Sequence, residues 1–239
     1  MTTNPDLDIQ EITPESVFWP QRLAELDHVG QAVPERLYVA GSTELLRQMG
    51  SPASQTDATV TISGSRACTA YGQYMAGRIS GDLARRHILT LSGGAFGIDA
   101  GVHQSALDAD TPTVAVLPSG LNRLNPVAHR SMLQQIVEHG GLLISAVEPD
   151  DGVSPARLAQ RTWLMAALSS ATVIVEASRQ SRALNLAACA LRLGRALGAV
   201  PGPVTSVTSN GCHELISQGV ASLIRDDRDV IALIDRHYS

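Results

Sequence analysis

From Asp57 onward the chain alternates between two kinds of segment, and that alternation limits the fold more than any other feature. Short, continuous, β-branched runs read as strands: TVTISG (59–64), HILTLSG (87–93), TPTVAVLP (111–118), GGLLISA (140–146), ATVIVEA (171–177), ALGAVPG (196–202) and a weaker ASLIRD (221–226). Helix-length segments lie between them: Ala70–Arg86, Ile98–Asp108, Pro126–His139, Ala156–Ser169 and Leu184–Gly194, with Gly211–Gly219 a shorter one. Apolar runs without polar alternation suit strands buried on both faces, and this spacing of strand and helix makes βαβ units with right-handed crossovers. The class is therefore α/β, a doubly wound and mainly parallel sheet with helices on both faces.

The first 55 residues have a different texture. They hold five of the twelve prolines, at 5, 14, 20, 34 and 52, and a short helical pattern around Val17–Leu26. ERLYVAGSTELLRQMG then reads as a strand, a turn and a short helix. We expect residues 1–55 to be an extension that packs on a domain of residues 56–239. Hydrophobic residues make up 44% of the chain and charged residues 17%, enough apolar material for a large core. No apolar run approaches the roughly 20 residues of a membrane span, and the first 30 residues are acidic, unlike a secretory leader. The expectation is a cytoplasmic protein with no membrane partner.

Charge and sulfur narrow the chemistry. The net charge is −5, and residues 1–27 carry all of it: six acids, Asp6, Asp8, Glu11, Glu15, Glu25 and Asp27, against Arg22. The remainder is balanced. All 18 basic residues are arginine, so an anion site here must use the guanidinium fork or backbone N–H groups, and no lysine can form a Schiff base. Cys68, Cys189 and Cys212 are far apart and lack C-x-x-C spacing, and His129 and His213 share no ligand spacing with acids or thiols. Neither a metal nor a cofactor is expected.

In a doubly wound sheet, ligands bind outside the carboxyl ends of the strands where the strand order reverses. The loops at those ends are GSRACTAYG (64–72), SGGAFGID (92–99), PSGLNRLNP (118–126), EASRQSRALN (176–185) and PGPVTSVTSNG (201–211). Glycine tolerates positive φ and leaves no Cβ in a ligand's way, while helix N-termini add unpaired N–H groups and partial positive charge. Together these features make an anion site, with phosphate the natural occupant. A tight turn, or an Asp99 that only caps its helix, would use the same residues. Glu176, at a strand end, reads as structural, as a base or as a partner for a ribose hydroxyl; His103 reads as a packing or interface residue.

These loops resemble those of the DNA-processing protein A family, also called DprA or Smf. The resemblance rests on Gly64-Ser65-Arg66 after the first strand of the domain and on Ser92-Gly93-Gly94-Ala95-Phe96-Gly97-Ile98-Asp99 with His103 following. Further matches are Gly120-Leu121-Asn122-Arg123-Leu124-Asn125-Pro126, Val173–Ala177, Ala199–Ser206 and Gly211–Ile216. It covers about residues 17–235. It implies an extended Rossmann-like fold that binds single-stranded DNA as a homodimer and loads a RecA-type recombinase in natural transformation and DNA recombination. It also implies a binding protein rather than an enzyme, here in a minimal form.

The implied contacts with DNA phosphates are Gly64, Ser65, Arg66, Ser92, Gly93, Gly94, Phe96, Gly97, Asp99, Ser119, Gly120, Arg123, Arg161, Trp163, Ser181, Arg182 and Asn185. Departures from the family pattern fall among them. Phe96 stands at a usually basic position, Arg161–Ser169 lacks an asparagine and a second arginine, and Arg182 replaces a usual glycine. Phe96 and Trp163 are candidates either for stacking bases or for packing. Two other readings stay open. One is a nucleotide-sensing module. The other is a phosphoribohydrolase of the LOG type, although Pro201-Gly202-Pro203-Val204-Thr205 lacks the second glycine and the acid of that motif.

Overall fold

The computed structural model describes residues 7–50 and 58–238; the expected boundary at 55/56 lies outside them. Among the described residues one sheet of nine strands runs in the order β1-β2-β6-β5-β4-β3-β7-β8-β9. The strands are β1 Ile9–Ile12, β2 Leu37–Gly41, β3 Thr59–Ser63, β4 Leu89–Gly93, β5 Thr113–Val116, β6 Leu142–Ser145, β7 Ala171–Ile174, β8 Ala196–Ala199 and β9 Ser222–Leu223. From β6 to β9 the neighbours are parallel, whereas β2 joins β6 and β1 joins β2 antiparallel. Part of the expected extension thus adds two strands to the sheet.

The helices are α1 Glu25–His28, α2 Glu44–Gly50, α3 Ala70–Arg85, α4 Ile98–Asp108, α5 Arg130–Glu138, α6 Pro155–Ala167, α7 Ala183–Arg192, α8 Asn210–Ser217 and α9 Asp227–Tyr238. Strand parity decides which face each covers. On β3, Val60 and Ile62 pack into the cluster formed with α3, α4 and α9. Thr59 and Thr61 point the other way, their hydroxyls donating to the Leu168 and Met165 carbonyls at 2.9 and 3.0 Å. Leu89 and Leu91 of β4 share that second face with α6, α7, Trp19 and Leu23. Two residues further along the same parity, Ser63 and Gly93 reach the carboxyl edge on the α6 side.

The chain runs from β3 outward through β4, β5 and β6, then returns through α6 to place β7 on the opposite flank of β3. The strand order therefore reverses between β3 and β7, which is where a crevice opens in such sheets. Two elements differ from the sequence expectation. β1 was not marked as a strand, and α9 follows a stretch read only as a weak strand. Asp226 caps α9 by accepting the Asp229 N–H at 3.2 Å, and Val230, Leu233 and Ile234 bury its inner face.

Candidate functional site

A cleft of roughly 850 Å³ opens at the reversal point, walled by the loop after β3, by α6 and by the start of α7. Leu158, Thr162 and Met165 of α6 recur at helical spacing and form one wall, with Leu186 and Cys189 of α7 opposite. The lining also carries polar residues: Ser63, Ser65, Ser178, Ser181 and Asn185, with the guanidinium-bearing residues Arg66, Arg161 and Arg182. Asp99 is the single acid among these lining residues. The N-terminal turn of α7 begins here, adding the positive end of a helix dipole.

Asp99 and Arg161 form the floor. The buried Asp99 carboxylate accepts from Ser63 Oγ at 2.6 Å and from the Ala95 N–H at 3.4 Å. Arg161 approaches Asp99 Oδ2 at 3.8 Å, with its side chain 15% exposed and its Nε without a partner. Burial pushes the Arg161 guanidinium down from its usual range; Asp99 works against that, and the charge of Arg66 adds to it. A guanidinium remains charged even so. Three cations therefore line a space that holds one carboxylate, and that carboxylate is already committed to two other donors.

The glycines serve this floor from below. A Cβ on Gly93 would overlap the Arg161 guanidinium, so glycine here is what lets α6 lay an arginine across the end of β4. Gly97 sits at φ +78°, and a Cβ there would collide with the Ser65 and Arg66 carbonyls. That close approach lets Ile98 N–H bond Ser65 O at 3.2 Å and welds the two loops together. The glycines thus position the side chains and backbone of the cleft from beneath its lining.

His103 and Glu176 complete the support. His103 is fully buried, with Nε2 donating to the Gly93 carbonyl at 2.9 Å and Nδ1 3.1 Å from Thr113 Oγ1. Burial lowers it to about 4, so the imidazole is neutral at ordinary pH. Glu176, 2% exposed, accepts from Thr69 N–H at 2.8 Å, Thr69 Oγ1 at 2.7 Å and Thr208 Oγ1 at 3.2 Å. It ties the end of β7 to the N-cap of α3 and to the loop after β8, a structural role.

Of the residues singled out from the sequence, Gly64, Ser65, Arg66, Asp99, Arg161, Trp163, Ser181, Arg182 and Asn185 line the cleft. Trp163 has the Arg192 guanidinium 5.0 Å from its ring centroid, so one of its faces is occupied. Ser92 lies beneath, its hydroxyl donating to Ile62 O at 2.6 Å, and Gly94 packs beside Leu117. Phe96, half exposed, stands at the crest of its loop, edge-on to His129 at 4.3 Å. Ser119, Gly120 and Arg123 follow β5, two strands from β3, and are not in the lining. Ser63, Thr162 and Ser178 were missed. Strand parity was a usable signal for Ser63, since 59, 61 and 63 share a face.

Among the described residues no cluster of His, Cys, Asp and Glu could hold a metal, and no helix is long and apolar enough to cross a membrane.

The comparisons with known proteins converge. The sequence profile described as DNA recombination-mediator protein A matches residues 10–235. A putative DNA processing protein DprA of Mycobacterium tuberculosis is 39% identical over 228 residues, which is 93% of this chain and 57% of the relative. The chain thus spans little more than half of that protein's length. The X-ray structure of DprA from Streptococcus pneumoniae superposes with TM-score 0.82 at 27% identity, covering 94% of this chain and 74% of the other. A structure of the Helicobacter pylori protein, described by its single-stranded DNA binding mode, also gives 0.82 at 25% identity, covering 98% and 99%. With its profile match, its relatives and its Rossmann-like sheet in agreement, this chain belongs to the DNA recombination-mediator protein A family, the DprA/Smf proteins.

Proposed function

We propose that the chain binds single-stranded DNA across the carboxyl edge of β3 and β7. One or more phosphates enter the cleft and meet Arg66, Arg161, Arg182 and the first turn of α7, with Ser65, Ser181 and Asn185 supplying neutral donors. The observation that carries this reading is the surplus of charge: three guanidiniums to one committed carboxylate, with the Arg161 Nε unpartnered. A buried cation without a full set of acceptors is costly, and a bound phosphate supplies them. The described binding mode of the Helicobacter pylori relative supports the choice of a single strand. Family membership extends the proposal to a homodimer that hands the strand to a RecA-type recombinase.

A binding protein suits the site better than an enzyme. Asp99 is held by Ser63 and Ala95, and Glu176 by Thr69 and Thr208, so neither carboxylate is placed to act on a substrate. One observation favours a second reading. A cleft of roughly 850 Å³ falls in the range of about 300–1,000 Å³ typical of small-ligand pockets, which suits a nucleotide-sensing module.

The test is titration of a fluorescent oligo-dT of about 20–35 nucleotides at several salt concentrations, with wild type and Arg66→Ala. Neutralising about four phosphates in the cleft contributes about −3 to the log–log salt slope, at roughly −0.7 per phosphate for a single strand. The DNA reading expects weaker binding and a shallower slope in the variant. If the oligonucleotide fails to bind at low salt while a mononucleotide does bind, the second reading replaces the first.

A further inference from the structure

A second cationic surface lies outside the cleft. Helix α3 starts where the Gly64–Thr69 loop ends and carries Tyr71, Tyr74, Arg78, Asp82 and Arg85 at steps of three and four, which makes one stripe along its length. Tyr74 is 63% exposed and Tyr71 38%, and Tyr71 is fixed by its Oη donating to Pro201 O at 2.6 Å. Lower on the helix, Arg78, Arg85 and Arg86 meet Arg228 of α9 around an open groove whose acids are Asp82 and Asp227. Asp82 is shared between Arg78 and Arg85, and Asp227 is taken by Arg86 at 2.5 Å. Arg228 projects into solvent with its nearest acid, Asp226, at 3.8 Å.

We propose that this α3–α9 face is a second seat for the same single strand. The strand leaves the cleft over Arg66 and runs along α3, stacking bases on Tyr71 and Tyr74 and placing phosphates against Arg78, Arg85 and Arg228. This rests on the cleft reading above. Three observations carry it. The stripe is continuous with the cleft through the loop that bears Arg66. Exposed aromatic rings come first and arginines follow, the combination that sequence-tolerant binding of single strands uses. The groove is lined by four arginines and two aspartates, with Asp226 beside Arg228, which leaves a net positive charge complementary to phosphate. From Tyr71 to Arg85 the stripe spans about 21 Å at 1.5 Å per residue, room for several nucleotides. An acidic protein would satisfy the arginines but leave the tyrosines nearest the cleft without a role.

The experiment compares oligo-dT of about 6 and about 30 nucleotides on wild type, Tyr74→Ala, Tyr74→Leu, the Arg78→Gln/Arg85→Gln double variant and Arg66→Ala. Both tyrosine variants should keep the affinity for the short oligonucleotide and lose at least about fivefold on the long one, because leucine restores bulk but no π-face. The double variant should make the long-oligonucleotide salt slope shallower by about 1.4, two phosphates' worth. Wild-type binding of the long oligonucleotide by all the α3 variants, with Arg66→Ala weakening both lengths, overturns the second seat and leaves the cleft reading standing. Unchanged DNA binding alongside loss of an acidic protein partner overturns it too. If Arg66→Ala changes neither length, the cleft reading falls and the strand's path from the cleft onto α3 falls with it, whatever the tyrosine variants do.

Discussion

The two edges of the sheet both bury arginine, and they use it in opposite ways. At the amino edge, Arg22 and Arg195 are 5% and 8% exposed. Arg195 meets Glu25 at 2.7 Å and the Ala167 carbonyl at 3.4 Å. Arg22 donates to Ser170 Oγ at 3.3 Å and lies 5.9 Å from the Tyr238 ring centroid, while the Tyr238 hydroxyl donates to Ser170 O. These contacts join the N-terminal segment, the starts of β7 and β8, and α9. Burial and the neighbouring Arg195 charge press the Arg22 guanidinium below its usual range. At the carboxyl edge, Arg161 has one acid at 3.8 Å and faces open space. Both Nε atoms are buried without a partner, so the difference lies elsewhere: Arg195 holds its acid at 2.7 Å inside the packed edge, whereas Arg161 stands 3.8 Å from its acid and lines the cleft.

Acid should separate the two edges by the largest margin. The floor of the cleft packs on a neutral, buried His103, whereas the amino-edge contacts described above, made by Arg22, Arg195, Glu25, Ser170 and Tyr238, include no buried imidazole. The folded-state value of about 4 lies below the ordinary 6.5, so between those values the unfolded chain binds the extra proton. Stability is then fully present above about pH 6.5 and is lost as pH falls toward 4, by about 3 kcal/mol in all and about 2 kcal/mol by pH 5. Urea unfolding at pH 7 and pH 5 measures this. His103→Asn should lose most of the dependence; a wild-type slope that survives in the variant assigns it to other groups.

The next effect breaks the amino edge alone. Glu25→Ala leaves Arg195 buried beside Arg22 without its carboxylate. Removing one member of a fully buried pair costs about 3–5 kcal/mol; Glu25 is 37% exposed, so we expect about 2 kcal/mol. Calorimetry should show the melting temperature falling by about 4–8 °C, with oligonucleotide affinity unchanged. A fall in affinity as large as the fall in stability would mean that the two edges are coupled rather than independent.

How much of this was visible in the sequence follows the same division. The central strands were legible because each is a continuous apolar run between turn residues, as in ATVIVEA and HILTLSG. β1 was not, because IQEI is a four-residue edge strand whose place is set by long-range contacts, its antiparallel pairing with β2 and the packing of Ile9 and Ile12. Arg66 and Arg161 could be singled out from the motifs that contain them. The order of the strands could not be read, and it is the order that sets Ser119, Gly120 and Arg123 beside β5, away from the reversal. The glycines of Ser92–Asp99 were legible as a demand for space. What fills the space above Gly93 is Arg161, 68 residues later, a long-range contact that no local pattern encodes.

The smallest effect sharpens the comparison most. Arg161→Met keeps a long apolar stem over Gly93 and removes the charge, leaving Asp99 with the Ser63 hydroxyl and the Ala95 N–H. Two effects oppose: Asp99 loses a distant cation but keeps two donors, and the desolvation cost of burying the guanidinium disappears, so the stability of the free protein should move by less than about 1 kcal/mol. Oligonucleotide affinity should fall about tenfold, equivalent to about 1.4 kcal/mol, since on the proposed reading the phosphate loses a charged donor whose Nε has no partner within the protein. Measured side by side with Glu25→Ala, the two variants should dissociate: one loses stability and keeps DNA, the other keeps stability and loses DNA. If Arg161→Met unfolds the chain as much as Glu25→Ala does and leaves affinity intact, then Arg161 is a strut like Arg195. The unpartnered Nε would then reflect packing, and the phosphate seat would have to be sought around Arg66 and Arg182 instead.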